Sequence, residues 1–169
     1  MFDMHMIIIR LANKADAPLV IQKVEQLVTE LAGESFSLNA SKLLPSIEQA
    51  IDSDRYIVLL ASDNEANIVG ILTLGETFAA YAGGLFGVIH ELHVVENTRS
   101  SGIGKDLLNE AKTICQQKGW ARLEVGAPYY PEWSRTKKFY IREGFVEIGP
   151  RLKWIVEHRD PVDSQNARD

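Results

Sequence analysis

The spacing of apolar residues predicts strands and helices along nearly the whole chain. Short apolar runs of the kind that form strands cover 6–11, 55–61, 68–78, 85–95, 122–125 and 145–156. Apolar residues recur at helical spacing over 15–31, 41–51, 103–118 and 134–142. The predicted order is therefore β-α-α-β-β-β-α-β-α-β, with a further final strand left open. Helices interleaved with a mixed sheet indicate an α/β fold, built as an α+β sandwich.

The segment 103–118 carries the clearest amphipathic pattern. Its apolar side chains form one stripe, which comprises Ile103, Leu107, Leu108, Ala111, Ile114 and Cys115. Gly119 is a typical helix end. Cys115 lies on this stripe and is the only cysteine, so we predict a small core residue rather than a nucleophile. A single cysteine also excludes an internal disulfide and makes a reducing, cytoplasmic compartment the default expectation.

Length and composition favour a single globular domain. The chain has 169 residues, 46% of them hydrophobic and 24% charged. We predict one domain over 1–157 and a polar tail over 158–169. No apolar run approaches the length that spans a membrane, and the four histidines show no metal-ligand spacing. Neither a membrane nor a metal is therefore expected as a partner.

The formal net charge of −5 hides an asymmetry along the chain. Residues 1–98 contain 5 basic and 13 acidic residues, whereas 99–169 contain 13 basic and 10 acidic ones. The balance excludes a strongly basic nucleic-acid binder as the first hypothesis. The difference between the halves is explained either by two solvated faces or by an anion site in the second half.

The polar segment between the predicted strand 85–95 and the helix at 103 has the composition of a phosphate-binding loop. It reads Arg99-Ser-Ser-Gly-Ile-Gly-Lys105. Helix starts carry unpaired N–H groups and partial positive charge, and glycines let the backbone approach a ligand. A P-loop is excluded because Asp106 stands where Ser or Thr is required, and a Rossmann loop because Leu107 replaces its third glycine. A plain glycine-rich helix entry remains an alternative.

Two segments together resemble the GNAT superfamily of acetyl-CoA-dependent N-acetyltransferases. The first is Leu92-His-Val94 followed by the Arg-x-x-Gly-x-Gly pattern of 99–104, and the second is the Phe-Tyr-x-x-x-Gly-Phe pattern of 139–145. The order of elements also agrees over 7–155. The resemblance implies a mixed, mostly antiparallel central sheet flanked by helices.

The resemblance implies acetyl-CoA as acyl donor, with coenzyme A lying along the strand and the loop. Residues 92–94 would contact the thioester end, and backbone amides of the loop would hold the diphosphate. The implied cofactor-binding residues are Leu92, His93, Val94, Arg99, Ser100, Ser101, Gly102, Ile103, Gly104 and Lys105. Lys137, Lys138 and Arg142 would meet the 3′-phosphate, or else form a solvated basic helix face.

The resemblance also assigns catalytic roles. Tyr140 matches the family tyrosine that protonates the coenzyme A sulfur. Glu91 is the first candidate for the base that takes a proton from the amine, and Glu124 is the second. His90 and His93 flank Glu91 and have a suitable intrinsic pKa, and a water chain without a protein base stays open. The expected reaction is direct attack of a primary amine on the thioester.

The segment 126–133 departs from the family pattern. Trp133 stands where many members carry an asparagine that contacts coenzyme A. Tyr129, Tyr130 and Trp133 are predicted to line the acceptor site, and a compact loop packed on its own rings is the alternative. The acceptor is expected to be a small-molecule or peptide amine, and a homodimer stays open. The alternative function is a CoA-binding regulatory or interaction module with little turnover.

Overall fold

The computed structural model describes residues 6–33, 37–127 and 134–149. They form five strands and four helices, joined by short 3-10 turns: β1 Ile8–Leu11, α1 Ala17–Ala32, α2 Ala40–Asp52, β2 Ile57–Ser62, β3 Ile68–Ala79, β4 Gly84–Val94, α3 Ile103–Gln117, β5 Leu123–Val125 and α4 Ser134–Arg142. The chain divides into two compact units, Met1–Val125 and Gly126–Asp169. All five strands belong to the first unit.

The strands form one mixed sheet in the order β1-β2-β3-β4-β5. The first three pairings are antiparallel, whereas β4 and β5 run parallel because α3 connects them as a crossover. This architecture confirms the mixed, mostly antiparallel sheet with helices that the sequence predicts.

Helices cover both faces of the sheet. Ile71 of β3 belongs to a buried cluster with Val20 of α1 and Ile51 of α2. Its neighbour Gly70 points the other way, because a Cβ there would lie 3.0 Å from side-chain atoms of Ile103 and Leu107 in α3. Successive residues of a strand face opposite sides, so α1 and α2 lie on one face and α3 on the other.

The apolar stripe of α3 is buried as predicted. Its six residues are those buried in the helix, and Leu107 and Leu108 are fully enclosed. Burying a leucine side chain stabilises a fold by roughly 1.5–3 kcal/mol, so this stripe fixes the helix on the sheet. Cys115 is buried with it, and burial raises the pKa of its thiol, which favours a protonated core residue over a nucleophile.

Three details differ from the predicted elements or lie beyond them. α2 begins at Ala40 behind the cap Asn39, one residue before the predicted start, and Pro45 lies inside the helix. Residues 145–149 form no strand, and the rest of that predicted segment and the tail lie outside the described residues. No helix in the described part of the chain is long and apolar enough to cross a membrane. One domain over 1–157 stays a prediction.

Candidate active site

The sheet opens alongside the second half of β4. β4 pairs with β3 over its whole length, but it pairs with β5 only from Gly87 to Ile89. Beyond Ile89, the edge of β4 that faces away from β3 has no strand partner among the described residues. An unpaired edge of this kind can accept the backbone or amides of another extended chain.

A β-bulge interrupts β4 at the start of this open segment. Leu74 lies opposite Ile89, but the preceding residue Thr73 lies opposite Glu91, so His90 is the additional residue on β4. The backbone N–H of Glu91 donates to the Thr73 hydroxyl at 3.1 Å. Bulges commonly redirect a side chain beside an active site, and here the redirected residue is the first candidate base.

The carboxylate of Glu91 accepts hydrogen bonds from two hydroxyls. Tyr56, just before β2, donates to Oε2 over 2.9 Å, and Thr73 donates to the same oxygen. Thr73 is fully buried and Glu91 half-buried. Burial, followed by the nearby charge of Glu91, raises the pKa of Tyr56, so this phenol remains a donor.

His93 lies on the same sheet face as Glu91, two residues further along β4. Its Nε2 is 3.3 Å from Oε2 of Glu30 in α1, and its buried Nδ1 has no hydrogen-bond partner among the described residues. Burial lowers the pKa of His93, outweighing the opposite effect of Glu30. The imidazole is therefore neutral near pH 7 and joins the sheet to α1.

Arg99 does not project from the loop but contacts Glu30, as His93 does. We call these three residues the Glu30 cluster. Its Nη2 donates to Oε2 of Glu30 at 2.6 Å, and its Nε donates to the backbone oxygen of Val94 at 2.8 Å. The ion pair lowers the pKa of Glu30. The guanidinium thus joins the end of β4 to the end of α1, although its assignment as a cofactor contact stays a prediction.

The loop itself presents backbone groups to the start of α3. Ser100 and Gly102 have φ of 68° and 97°, and Ser101 donates its hydroxyl to the oxygen of Thr98 at 2.6 Å. No side chain caps the α3 N-terminus. Its first N–H groups therefore remain available for an anion, with the exposed Lys105 in the same turn. The side chain of Ile103 is buried, so only its backbone can contribute.

The side chains of 92–94 do not lie together. Leu92 and Val94 are opposite Leu72 and Gly70, on the α3 face of the sheet, whereas His93 is on the α1 face. Only the backbone of this segment is continuous along the open edge of β4.

An open groove of about 710 Å³ lies between α1 and the end of β4. Its lining is polar and acidic, with Gln22, Glu25, Gln26, Thr29, Glu30, His93, Val95 and Glu96. Such a wall attracts a cation, and the sequence pattern had placed an acidic excess in this half of the chain.

Glu124, the second candidate base, lies apart from Glu91. It pairs with Val88, three residues before Glu91, so the two backbone positions are about 10 Å apart along the strand direction. Arg122 donates to Glu124 Oε1 from both Nε, at 2.9 Å, and Nη2. The Glu124 carboxylate is therefore already engaged by a guanidinium.

Tyr140 belongs to the second unit. It is buried, with its ring centroid 5.4 Å from that of Phe139 and 5.6 Å from that of Phe145. Burial raises the pKa of Tyr140 to about 12, so the phenol keeps its proton at neutral pH. Its hydroxyl has no hydrogen-bond partner among the described residues.

The basic residues near Tyr140 are exposed, but two of them already contact other side chains. Lys137 forms an ion pair with Glu147, and Arg142 lies over Phe139 at 5.5 Å and beside Glu143. Lys138 is exposed. The predicted acceptor residues Tyr129, Tyr130 and Trp133 lie outside the described residues. No group of three or more His, Cys, Asp or Glu side chains within the described ranges is placed to hold a metal ion.

Sequence reasoning missed Tyr56, Thr73 and Glu30. Thr73 had a detectable signal, since it is a polar residue within the apolar run of β3. The other two had none, because their partners lie 35 and 69 residues away along the chain. Their roles follow from strand register and helix packing.

A comparison with known protein families agrees with the resemblance carried by the glycine-rich start of α3 and by 139–145. The Acetyltransferase (GNAT) domain family matches residues 54–147, more than half of the chain. The chain therefore belongs to the GNAT acetyltransferase family, which confirms the resemblance seen in the sequence. No curated protein sequence matches it significantly.

Solved structures similar to this chain share its fold. An integron cassette protein from the mobile metagenome of Cole Harbour Salt Marsh is 23% identical over 90% of this chain and 91% of its own, with a TM-score of 0.74. An aminoglycoside acetyltransferase from an uncultured soil metagenomic sample is 22% identical over 89% and 97%, also at 0.74. The ribosomal-protein-alanine N-acetyltransferase of Brucella melitensis biovar Abortus 2308 is 18% identical over 90% and 99%, at 0.65. At these identities the likeness supports the fold alone.

Proposed function

We propose that the protein is an N-acetyltransferase that moves an acetyl group from acetyl-CoA to a primary amine. The observation that carries the proposal is the anchored carboxylate of Glu91 at the open edge of β4, in a chain of the GNAT family. A base that activates an amine must lie within hydrogen-bond reach of its nitrogen, and a carboxylate beside the proposed thioester site meets that requirement.

The residues present fit coenzyme A. The edge of β4 at Leu92–Val94, which has no strand partner among the described residues, would bind its amide-bearing arm, and the uncapped amides at 102–105 would bind its diphosphate. Arg99 would act mainly by holding this segment in place, with Ser100, Ser101 and Lys105 at its margin. When bound, acetyl-CoA supplies the acetyl group as an activated thioester.

Two residues of the chain would handle the protons. An alkylamine has a pKa of about 10.4 and reaches the site as an ammonium, which must lose a proton before it attacks. Glu91 accepts that proton as the amine nitrogen approaches, and Tyr140 donates its own to the departing thiolate, whose ordinary pKa is about 8.5. The second proton lost by nitrogen on amide formation restores the phenol, and the Glu91 proton leaves to solvent.

The acceptor we propose is a cationic amine. The groove between α1 and β4 carries Glu25 and Glu96 on its walls, beside Glu30, whose charge is balanced by Arg99, and the first 98 residues are acidic overall. Two similar structures are described as an aminoglycoside acetyltransferase and a ribosomal-protein-alanine N-acetyltransferase, whose acceptors both carry amines. A small polyamine-type acceptor fits an acidic groove better than a neutral amine does.

An amine panel tests the proposal. The purified chain is incubated with acetyl-CoA and aminoglycosides, linear polyamines, short peptides or neutral amines, and thiol release is measured against an amine-free blank. We expect release with at least one cationic amine and a mass increase of one acetyl group on that amine. Thermal stabilisation by acetyl-CoA without release on any amine would contradict the proposal and favour a CoA-binding module.

A further inference from the structure

Tyr56 and Thr73 are two hydroxyl-bearing residues that no motif accounts for, and both bind one oxygen of Glu91. They donate to Oε2, while Oε1 has no hydrogen-bond partner among the described residues. We propose that Tyr56 and Thr73 are positioning residues that keep the Glu91 carboxylate turned so that Oε1 receives the proton of the acceptor amine. The inference rests on the proposed function, because it gives Glu91 the role of base.

Thr73 acts on both the backbone and the side chain of Glu91. Its hydroxyl accepts the Glu91 N–H that the bulge has removed from the strand ladder, and it donates its own hydrogen to the carboxylate. A hydroxyl can donate one hydrogen bond and accept others at once, which valine, of the same shape, cannot. Thr73 thus fixes the direction in which the bulge turns Glu91.

Tyr56, which lies just before β2, donates to the same oxygen from the far side of β3. Its ring packs against the core cluster beneath α1 and α2 and is stacked beside His90, with ring centroids 6.4 Å apart. A donor held by packing keeps a site in one geometry better than a mobile surface side chain does. Because its pKa is raised, the phenol does not compete with Glu91 for the role of base.

A carboxylate that acts as a base is better held by neutral hydrogen-bond donors than by a cation. A guanidinium beside a carboxylate lowers its pKa through charge, whereas two hydroxyls orient it without adding a charge. The titratable groups around Glu91 on the described residues are Tyr56 before β2, His90 and His93 on β4, and Glu30 of α1 beyond His93. No cation pairs with Glu91 within the described ranges.

The test compares Tyr56→Phe and Thr73→Val with the wild-type chain, with Thr73→Ser as the conservative rescue. Tyr81→Phe and Thr113→Val are matched controls, because both remove a hydroxyl remote from Glu91. Two readouts are taken on the full-length protein. One is the NMR titration of the Glu91 carboxyl carbon without substrates, and the other is kcat and KM across pH with the best amine of the panel.

We expect Tyr56→Phe and Thr73→Val each to alter the Glu91 titration and to lower kcat about tenfold, with KM for acetyl-CoA within about twofold of wild type. The acidic limb of the kcat/KM profile should move to higher pH, because the ionised carboxylate loses a hydrogen bond. Thr73→Ser should restore most of kcat, and the two controls should match wild type.

Several results would overturn the inference, and they can be told apart from failure of the proposed function. An unchanged Glu91 titration in both variants refutes the anchoring whatever the activity. If the Glu91 titration changes but kcat does not, Tyr56 and Thr73 do not position a catalytic group, and the proposed acetyl transfer is unaffected. If Thr73→Val unfolds, Tyr56→Phe and Thr73→Ser decide the question. Absence of turnover by the wild-type chain on every amine removes the proposed function, and with it the role assigned here.

Discussion

Two carboxylates near the end of β4 are held in opposite ways. Glu91 accepts hydrogen bonds from the neutral hydroxyls of Tyr56 and Thr73, whereas Glu30 pairs with the guanidinium of Arg99 and contacts His93. The ion pair lowers the pKa of Glu30 and makes it a poor base. The difference supports the proposed role of Glu91 in proton transfer, and it leaves Glu30 as a structural link between α1 and the sheet.

The Glu30 cluster also anchors the first residue of the glycine-rich loop, Arg99, to α1 and β4. Arg99 binds Glu30 through Nη2 and the oxygen of Val94 through Nε, so one side chain joins α1, the end of β4 and the loop. A planar guanidinium can serve two acceptors with fixed geometry, which an ammonium cannot. On one face of the sheet, Tyr56 and Thr73 thus hold Glu91, whereas the Glu30 cluster holds the start of the loop.

The largest effect is expected from removing the charge of Glu91 and comparing the result with removal of the charge of Glu30. Glu91→Gln keeps the shape of the side chain but removes the proton acceptor, so kcat should fall about 100-fold, within the range usual for a general base. Glu30→Gln, the matched control, should change kcat by less than about threefold, because its charge is already used by Arg99. Steady-state kinetics with the best amine measures both. Equal losses in the two variants would contradict the division of roles.

The next effect concerns the two phenols, the half-buried Tyr56 and the buried Tyr140. Tyr56 donates to Glu91, whereas the hydroxyl of Tyr140 has no partner among the described residues and its pKa is raised to about 12. Tyr140→Phe should therefore lower kcat tenfold or more, because the thiolate loses its proton donor, with little change in acetyl-CoA binding. Turnover kinetics and calorimetric binding of acetyl-CoA measure the two quantities. Unchanged turnover would remove Tyr140 from the mechanism.

Local pattern predicted the elements, but not the partnerships between them. The α3 stripe and the loop at its start follow from neighbouring residues, and the resemblance placed Glu91 on β4. The bulge that turns Glu91 depends on how β3 and β4 align, and the Glu30–Arg99 pair depends on how α1 packs on the sheet. Pro45 within α2 shows the same limit, since an Asn39 cap starts the helix earlier than the apolar spacing suggested.

A smaller effect is expected from Arg99→Lys. The ammonium can bind Glu30 or the Val94 oxygen but not both in the same planar geometry, so the unfolding free energy should fall by about 1 kcal/mol. KM for acetyl-CoA should rise about threefold, because the loop is less fixed, while kcat stays near wild type. Arg10→Lys is the matched control, since Arg10 makes a similar two-point pair with Asp16 away from β4. It should lose similar stability without the change in KM.

The smallest effect is the dependence of stability on pH. In the Glu30 cluster, His93 and Glu30 should affect stability in different pH ranges. Burial lowers the pKa of His93 below its ordinary value of about 6.5, so the unfolded chain binds a proton there more readily than the folded one. Stability should therefore fall as pH decreases through about 6.5. Glu30 acts in a lower window, since its contribution is present above its ordinary value of about 4.5 and is lost only as pH falls through its lowered folded pKa. Thermal unfolding between pH 7.5 and 5.5 should show a decrease of about 2 °C that His93→Gln abolishes. His90→Gln, at the exposed bulge residue, should still show the decrease. If His90→Gln abolished the decrease and His93→Gln did not, the titrating group would lie outside the Glu30 cluster.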